Sequence, residues 1–520
     1  MDRSATIIGA ILLVLVGIAA LVGIKLGLSY FSEQERLTTS DAAKIKETIR
    51  IAGDNWVGYF GLHSSEFQRR MRSLGIGVEW IDDGARYDER MEKLAAGEYE
   101  LVVATIDSYL VNAARWKYPG VIVAVIDESK GGDAIVAKEE LKSINDLGNP
   151  GVKIALTPSS PSDFLLKAAS AHFALVRLVG STDWRVETAG SEEARKLLAR
   201  GTVQAAVLWE PDVSLALAEP GVHKLLGTEK TKRLIVDVLV AHRKLIAEKP
   251  ELLGTFVGEY FKAMRAYTVE REKLAEELED VTGLKSDAVV RMMDGVAWAT
   301  LEENGRQWFG IATPGLAAEE GLVDAINSTV NILKDHGDFT ADPVSGNAYE
   351  LTYSRIIEDL LQVAAAKEVE SRFTVAGSSP QPSKVDFPPL SEEEWAKMHV
   401  VGRMKIRPVV FQSGYSVVTV GGKGEVDKAV EALAHYPEFR LLIKGHTAPG
   451  GEEESNRALS LDRADAVRRY LTEIHDIDPD RIRTAGVGGA EPLPKEAGES
   501  LRAYRVRQPR VEFYLMEQAK

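Results

Sequence analysis

The 520-residue chain contains no cysteine. That absence removes disulfides, thiolate metal sites, cysteine nucleophiles and the acylated cysteine of a lipoprotein. It suits an oxidising compartment, where stray thiols are a liability. Local catalytic signatures are missing as well. There is no HExxH, no GxSxG and no Walker loop, and the nine histidines are scattered. Gly421-Gly422-Lys423-Gly424 is an isolated glycine-rich turn, and carboxylate pairs on helix faces read as solvation. The expectation is therefore a non-enzyme that needs no cofactor or metal. Positive charge is in short supply, with 63 Lys and Arg against 78 Asp and Glu and a net charge of −15. This argues against a nucleic-acid partner or a protein lying on anionic lipid, but it says little about a small ligand in its own pocket. Long apolar runs are also missing, with one exception.

The exception is Ala5 to Ile24, ATIIGAILLVLVGIAALVGI, which is uncharged throughout. At about 1.5 Å per residue, some 20 helical residues match the roughly 30 Å hydrocarbon core of a bilayer. No small-x-small cleavage site follows closely, so an uncleaved transmembrane anchor is expected over 5–24, with a cleaved signal as the alternative. Arg3 and Lys25 nearly balance the positive-inside count. The short leading end is that of a signal anchor, which places the bulk of the chain in the periplasm and the anchor in the inner membrane. Residues 25–46 read as a polar stalk. At 520 residues, two to four domains are expected.

From residue 47 onward, apolar runs of strand length alternate with amphipathic helical stretches. TIRIAGD (48–54), GVEWID (77–82), LVVATID (101–107) and VIVAVID (121–127) read as strands with helices between them. This predicts an α/β domain with a mostly parallel sheet and ligand-facing loops at the strand carboxyl ends. Two similar segments, DAIVAKEEL (133–141) and DVLVAHRKLI (237–246), read as a strand leaving one α/β lobe and a strand returning to it. Each is expected to run on into a helix. That pattern predicts two lobes hinged around a cleft, with lobe one over 47–132 and 242–370 and lobe two over 133–241.

IRIAGDNWVGY, LVVATIDSY, SKGGDAIVAK, SINDLGNPGVKIALTPSSPSDFLL and AAVLWEPDVSLA resemble the nitrate/sulfonate/taurine group of ABC-transporter substrate-binding proteins, in order and spacing. The resemblance covers about residues 47–365 and implies a type II periplasmic-binding-protein fold. It also implies a small-molecule solute in the cleft and an ABC permease or membrane sensor as partner. Carried onto this sequence, it implies ligand contacts from Trp56, Tyr59, Thr105, Asp107, Ser129, Gly132, Asp133, Ser159, Ser160, Ser162, Trp209 and Glu210. The serines at 159–162 have two readings, an anion site at a helix amino end or simple helix caps. Trp56 and Trp209 are stacking platforms or packing residues. Asp107 and Glu210 would repel an anion and favour a cationic or zwitterionic solute.

Proline and serine rise over 371–392 and periodicity vanishes, which marks a linker. Residues 393–520 then read as an α+β unit of strand, helix, strand, helix, strand, strand, with IRPVVFQSG (406–414) as the first strand. Asn456-x-x-Leu459-Ser460-x-x-Arg463-Ala464-x-x-Val467, then Ile482-x-x-x-Gly486-x-Gly488, then Arg510-Val511-Glu512, strongly resemble the OmpA-like peptidoglycan-binding domain. That resemblance implies peptidoglycan contacts from Thr447, Asn456, Arg463 and Arg510. In that family a Thr-Asp and the helix arginine clamp a zwitterion of the wall peptide. Here the aspartate is missing, because Ala448 follows Thr447. One of Glu452, Glu453 and Glu454 is a possible substitute. The alternative to wall binding is a retained spacer, with the chain as a scaffold between inner membrane and wall.

Overall fold

The computed structural model describes residues 45–312, 317–371, 385–407, 409, 411 and 415–518. The expected anchor at 5–24, nearly all of the stalk and most of the linker lie outside these residues. Among the described residues, no helix is long and apolar enough to cross a membrane.

The strands are β1 (Glu47–Gly53), β2 (Ile76–Asp82), β3 (Leu101–Thr105), β4 (Gly120–Ser129), β5 (Asp133–Lys138), β6 (Ile154–Leu156), β7 (Arg185–Glu187), β8 (Ala205–Trp209), β9 (Val222–Gly227), β10 (Val236–His242), β11 (Val296–Trp298), β12 (Met398–Arg403), β13 (Arg440–His446), β14 (Ile482–Gly486) and β15 (Arg510–Gln518). They form three sheets, ordered β11-β4-β10-β3-β1-β2, β7-β6-β8-β5-β9 and β12-β15-β13-β14. All five residues of β3 and of β8 are buried. Such strands, covered by helices on both faces, read in the sequence as unbroken apolar runs.

The sheets of the two lobes are mixed rather than mostly parallel. In the first, β10 is antiparallel to both β3 and β4. In the second, β5 is antiparallel to both β8 and β9. Apart from the short edge strand β11, which is also antiparallel to β4, the reversed strands are the two crossovers, for a geometric reason. The cleft lies at the carboxyl ends of the strands, so a chain entering a lobe from the cleft must run away from it. Asp133, which opens β5, accordingly pairs with Trp209, which closes β8.

Three further expectations are corrected. The chain re-enters the first lobe at Val236, not at residue 242, because all of β10 lies in the first sheet. After β5 no helix follows; a turn leads to a short 3-10 segment, Ile144–Gly148, closed by a Ser143/Asp146 capping box. The strand reading runs past the end of β3: Ile106 and Asp107 already belong to the helix Ile106–Ala113.

In the C-terminal unit the first strand among the described residues is β12. Residues 408, 410 and 412–414 of the strand expected over 406–414 lie outside the described residues, and Phe411 makes an isolated bridge to Val418. The helix Glu453–Ile474 packs across β13 and β14 at close range. A β-carbon on Gly445 would stand 1.9 Å from the Ser460 carbonyl oxygen, and one on Gly486 would stand 2.4 Å from that of Arg457. Only glycine permits that approach. The end of the expected linker belongs to this unit as well. Phe387 is buried beneath the guanidinium groups of Arg440 and Arg481, 5.4 and 5.5 Å from its ring centre. Arg440 also donates to the Pro388 carbonyl at 2.6 Å.

Candidate functional site

The hinge consists of two short segments, 129–133 and 228–236, stitched together by hydroxyl groups. Ser129 Oγ meets Thr228 Oγ1 at 2.7 Å, and the Gly131 amide donates to Thr228 Oγ1 at 2.9 Å. The Asp133 amide donates to Ser129 Oγ at 3.1 Å. The lobes are closed on one another. Asn112 of lobe one donates to the Ser159 carbonyl of lobe two at 3.1 Å, and Lys167 of lobe two pairs with Asp338 at 2.6 Å.

Between them Asp54, Trp56, Tyr59, Tyr87, Thr105, Asp133, Pro161, Trp209, Ile235 and Asp237 enclose a cavity of about 10 Å³. That is room for about one water molecule. Trp56 fills much of the space and packs on Gly132, where a β-carbon would stand 2.3 Å from its ring. The indole N–H of Trp56 points to Asp127 at 3.3 Å, and the Tyr59 hydroxyl donates to Asp237.

This region is strongly acidic. Asp127 and Asp237 face each other across the β4–β10 pairing. Burial raises both, Asp127 to about 8; the charge of Asp133 adds to the rise at Asp127, and that of Asp127 to the rise at Asp237. Burial pushes Asp107 and Asp133 up to about 7, and the neighbouring carboxylates push Asp133 the same way. The buried cation beside them, Arg90, is already committed. It is 0 % exposed. It donates to Asp83 at 2.6 Å through both Nε and Nη2, to Asp54 at 2.9 Å and to the Val103 carbonyl at 2.7 Å.

These raised carboxyls set a pH dependence. Each holds a proton in the folded state that it has lost in the unfolded chain between about pH 4 and its folded value, so stability falls with rising pH across that interval. Thermal unfolding followed from pH 6.5 to pH 8, above the range in which His63, His172 and His435, lowered by burial, act in the opposite sense, is expected to show a falling melting temperature. Asp133→Asn is expected to flatten part of the slope. A melting temperature that rises through this interval would contradict the assignment.

The structure brings Trp56, Tyr59, Thr105, Asp133 and Trp209 to the cavity wall, with Gly132 directly behind Trp56. The other residues read from the sequence have different positions. Ser129 belongs to the hinge stitch. Ser160 caps the helix Pro161–His172, accepting from the Ser162 amide at 3.2 Å. Glu210 caps its own turn by accepting from the amide and hydroxyl of Ser214. Asp107 lies beside Ser108, and Ser159 contributes its carbonyl to the inter-lobe bond. Ser162 Oγ is buried without a hydrogen-bond partner.

Sequence reasoning missed Asp54, Tyr87 and Asp237. The first and last were legible as acids at the cleft ends of apolar strands. Nothing marked Tyr87, which opens a helix. A wider recess of about 810 Å³ opens beside the helix Pro161–His172, but its cations Lys167 and Arg185 are already paired with Asp163, Asp338 and Glu187.

In the C-terminal unit, the Thr447 amide donates to the Gly488 carbonyl at 2.8 Å, and the Gly488 amide donates to Ser460 Oγ at 2.9 Å. These bonds tie the end of β13 to the helix turn that precedes Arg463. Arg463 is 7 % exposed and makes no ion pair among the described residues. It donates weakly to the Tyr415 carbonyl at 3.4 Å and lies 5.2 Å over the Phe411 ring. Burial lowers its pKa. Thr447 Oγ1 is also buried and without a partner.

Asn456 and Arg510 have structural partners instead. Asn456 donates to the Gly450 carbonyl at 2.8 Å, and Arg510 pairs with Glu512 at 2.8 Å. Glu512 lies 3.2 Å from His446 and 3.0 Å from Arg403, and its carboxyl is held well below the usual range despite burial. Of the three glutamates read as candidates to replace the missing aspartate, Glu452 caps the helix and Glu453 pairs with Arg457.

The OmpA family model matches residues 410–505. The C-terminal unit is an OmpA family domain. Outer membrane protein Omp38 of Acinetobacter baumannii is 32% identical over 104 residues, 20% of this chain and 29% of that protein. The peptidoglycan-associated lipoprotein of Rhizobium meliloti is 29% identical over 85 residues, 16% of this chain and 48% of that protein. The chain thus spans less than half the length of either relative. Among solved structures, the periplasmic aliphatic sulphonate binding protein SsuA from Escherichia coli is 22% identical. That match covers 48% of this chain and 85% of that one, at a TM-score of 0.41.

Proposed function

We propose that the chain is an envelope solute-binding protein, anchored by residues 5–24 in the inner membrane and attached to peptidoglycan through its OmpA family domain. The two-lobed unit closes on a small solute and presents it to an ABC permease or a membrane sensor. The observation that carries this reading is the seam between the lobes at the hinge, where Trp56, Tyr59 and Tyr87 of lobe one face Trp209 of lobe two. At about 10 Å³ it holds no more than a water, so binding requires the lobes to part. Its chemistry favours a cationic solute. Asp54, Asp133 and Asp237 line it, and Arg90 is committed to Asp54 and Asp83. Aromatic faces beside carboxylates attract ammonium and amidinium groups, and nothing in the wall offers an unpaired cation to an anion.

The test is thermal unfolding of the full chain with methylammonium, benzamidine or 1,4-diaminobutane, set against nitrate and methanesulfonate. A cation at 100 times its Kd is expected to stabilise by about 2.7 kcal/mol. The effect should be larger at pH 8 than at pH 5, because Asp133, raised to about 7, is then ionised. Stabilisation by the anions alone would overturn the cationic preference; no stabilisation by any probe would overturn solute binding.

A further inference from the structure

The OmpA family domain is docked against the solute-binding unit, and its bonds to the two lobes are unequal. Toward lobe two it forms an antiparallel main-chain bridge, Phe173 to Met404, flanked by Ala174 N to Arg403 O at 3.2 Å and Lys405 N to His172 O at 2.8 Å. The Asn145 side chain holds both main-chain groups of Arg403: Arg403 N donates to Oδ1 at 2.6 Å, and Nδ2 donates to Arg403 O at 3.3 Å. His172 Nδ1 meets the Tyr436 hydroxyl at 2.9 Å, and its ring stacks on His435 at 5.3 Å. Phe173 is fully buried by this contact, and one apolar cluster runs continuously through both lobes and the C-terminal domain.

At the hinge, Lys232 N donates to the His435 carbonyl at 2.9 Å, and Lys230 pairs with Glu517 at 2.9 Å. The hydrogen bond to lobe one comes from the same histidine. His435 Nδ1 donates to the Lys232 carbonyl at 3.0 Å, which leaves Nε2 to accept from Ser328 Oγ at 2.7 Å. Ser328 lies on the helix Gly321–Asp335 of lobe one.

We propose that the OmpA family domain rides on lobe two and latches onto lobe one through His435 and Ser328, so that closing the cleft and orienting the wall-binding domain are one movement. The proposal rests on the lobes opening and closing, but its test requires no solute. Opening the hinge leaves the backbone bridge and the Asn145 clamp intact, because both partners move together. It breaks the Ser328 bond. A cleft that closes on solute therefore swings the membrane-side lobe against a domain held by the wall.

The absence of cysteine makes site-specific labelling of the full chain direct. Single-molecule energy transfer is read between dyes on Lys196→Cys (lobe two), Lys262→Cys (lobe one) and Glu431→Cys (C-terminal domain), taken in pairs. The expected result is a constant 196–431 distance and a two-valued 262–431 distance that changes together with 196–262. Ser328→Ala is expected to raise the open-to-closed ratio about five-fold, the loss of one net hydrogen bond. A constant 262–431 distance with a varying 196–431 distance would overturn the proposal. So would an open-to-closed ratio unchanged by Ser328→Ala in a chain of unchanged melting temperature.

Discussion

Replacing Arg90 with methionine is expected to lower the unfolding free energy by about 3–5 kcal/mol, the cost of leaving buried charges without their partner. The guanidinium is fully buried and holds two carboxylates, Asp54 and Asp83, as well as the Val103 carbonyl. Methionine fills much of the volume but satisfies none of these groups. The acids must then take up protons or draw in water, and Asp54 lies in the cavity wall, so the same change is expected to loosen the site. At roughly 2–4 °C per kcal/mol for a domain of this size, calorimetry should record a fall of about 6–20 °C. Asp54→Asn with Asp83→Asn, added to Arg90→Met, is expected to recover part of the loss. An exposed pair such as Arg355–Asp359 gives the contrast, at about 0–1 kcal/mol. A loss under 1 kcal/mol for Arg90→Met would show that the triad does not hold the lobe together.

The second large effect is expected at Arg463. In sedimentation with purified peptidoglycan, Arg463→Ala is expected to weaken retention at least ten-fold, since hydrogen bonds to a charged group contribute about 1.5–3 kcal/mol. Among the described residues, Arg463 is buried without an ion pair and Thr447 Oγ1 is a buried hydroxyl without a partner. Both are suited to a carboxylate that is not part of the protein. Arg463→Lys keeps the charge and loses the planar fork, so intermediate retention is expected. Arg510→Ala acts differently. It strips Glu512 of one of its partners and should lower the melting temperature of the domain rather than act selectively on retention. Ala448→Asp, which restores a carboxylate after Thr447, is expected to tighten binding. Retention unchanged by Arg463→Ala would exclude this arginine as the anchor.

Pattern alone was sufficient where an element is defined by its own residues. β3 and β4 are buried on both faces and therefore appear as apolar runs; the helix Glu453–Ile474 repeats its apolar positions with helical spacing. Gly486 is a motif position read from the sequence, and the structure supplies its reason in the Arg457 carbonyl pressed against it. Pattern alone failed where the deciding partner lies far along the chain. Asp237 follows 183 residues after Asp54, and both reach one cavity only because β10 enters beside β3. Ser160 and Glu210 carry the residue types of a ligand site, yet each is occupied in capping its neighbours. Local sequence does not distinguish a cap from a contact when both call for an oxygen at a helix start.

By itself, the sequence determined the α/β alternation, the crossovers, the OmpA-like motif and its lost aspartate, and the absence of thiol chemistry. All of these follow from nearest-neighbour chemistry and periodicity. The tertiary structure alone decided the reversal of β5 and β10, the commitment of Arg90 to two acids, the unpaired state of Arg463 and the docking of the last domain on the hinge. These depend on long-range geometry: which charges end up within about 3 Å of each other, and which remain without a partner once water is excluded.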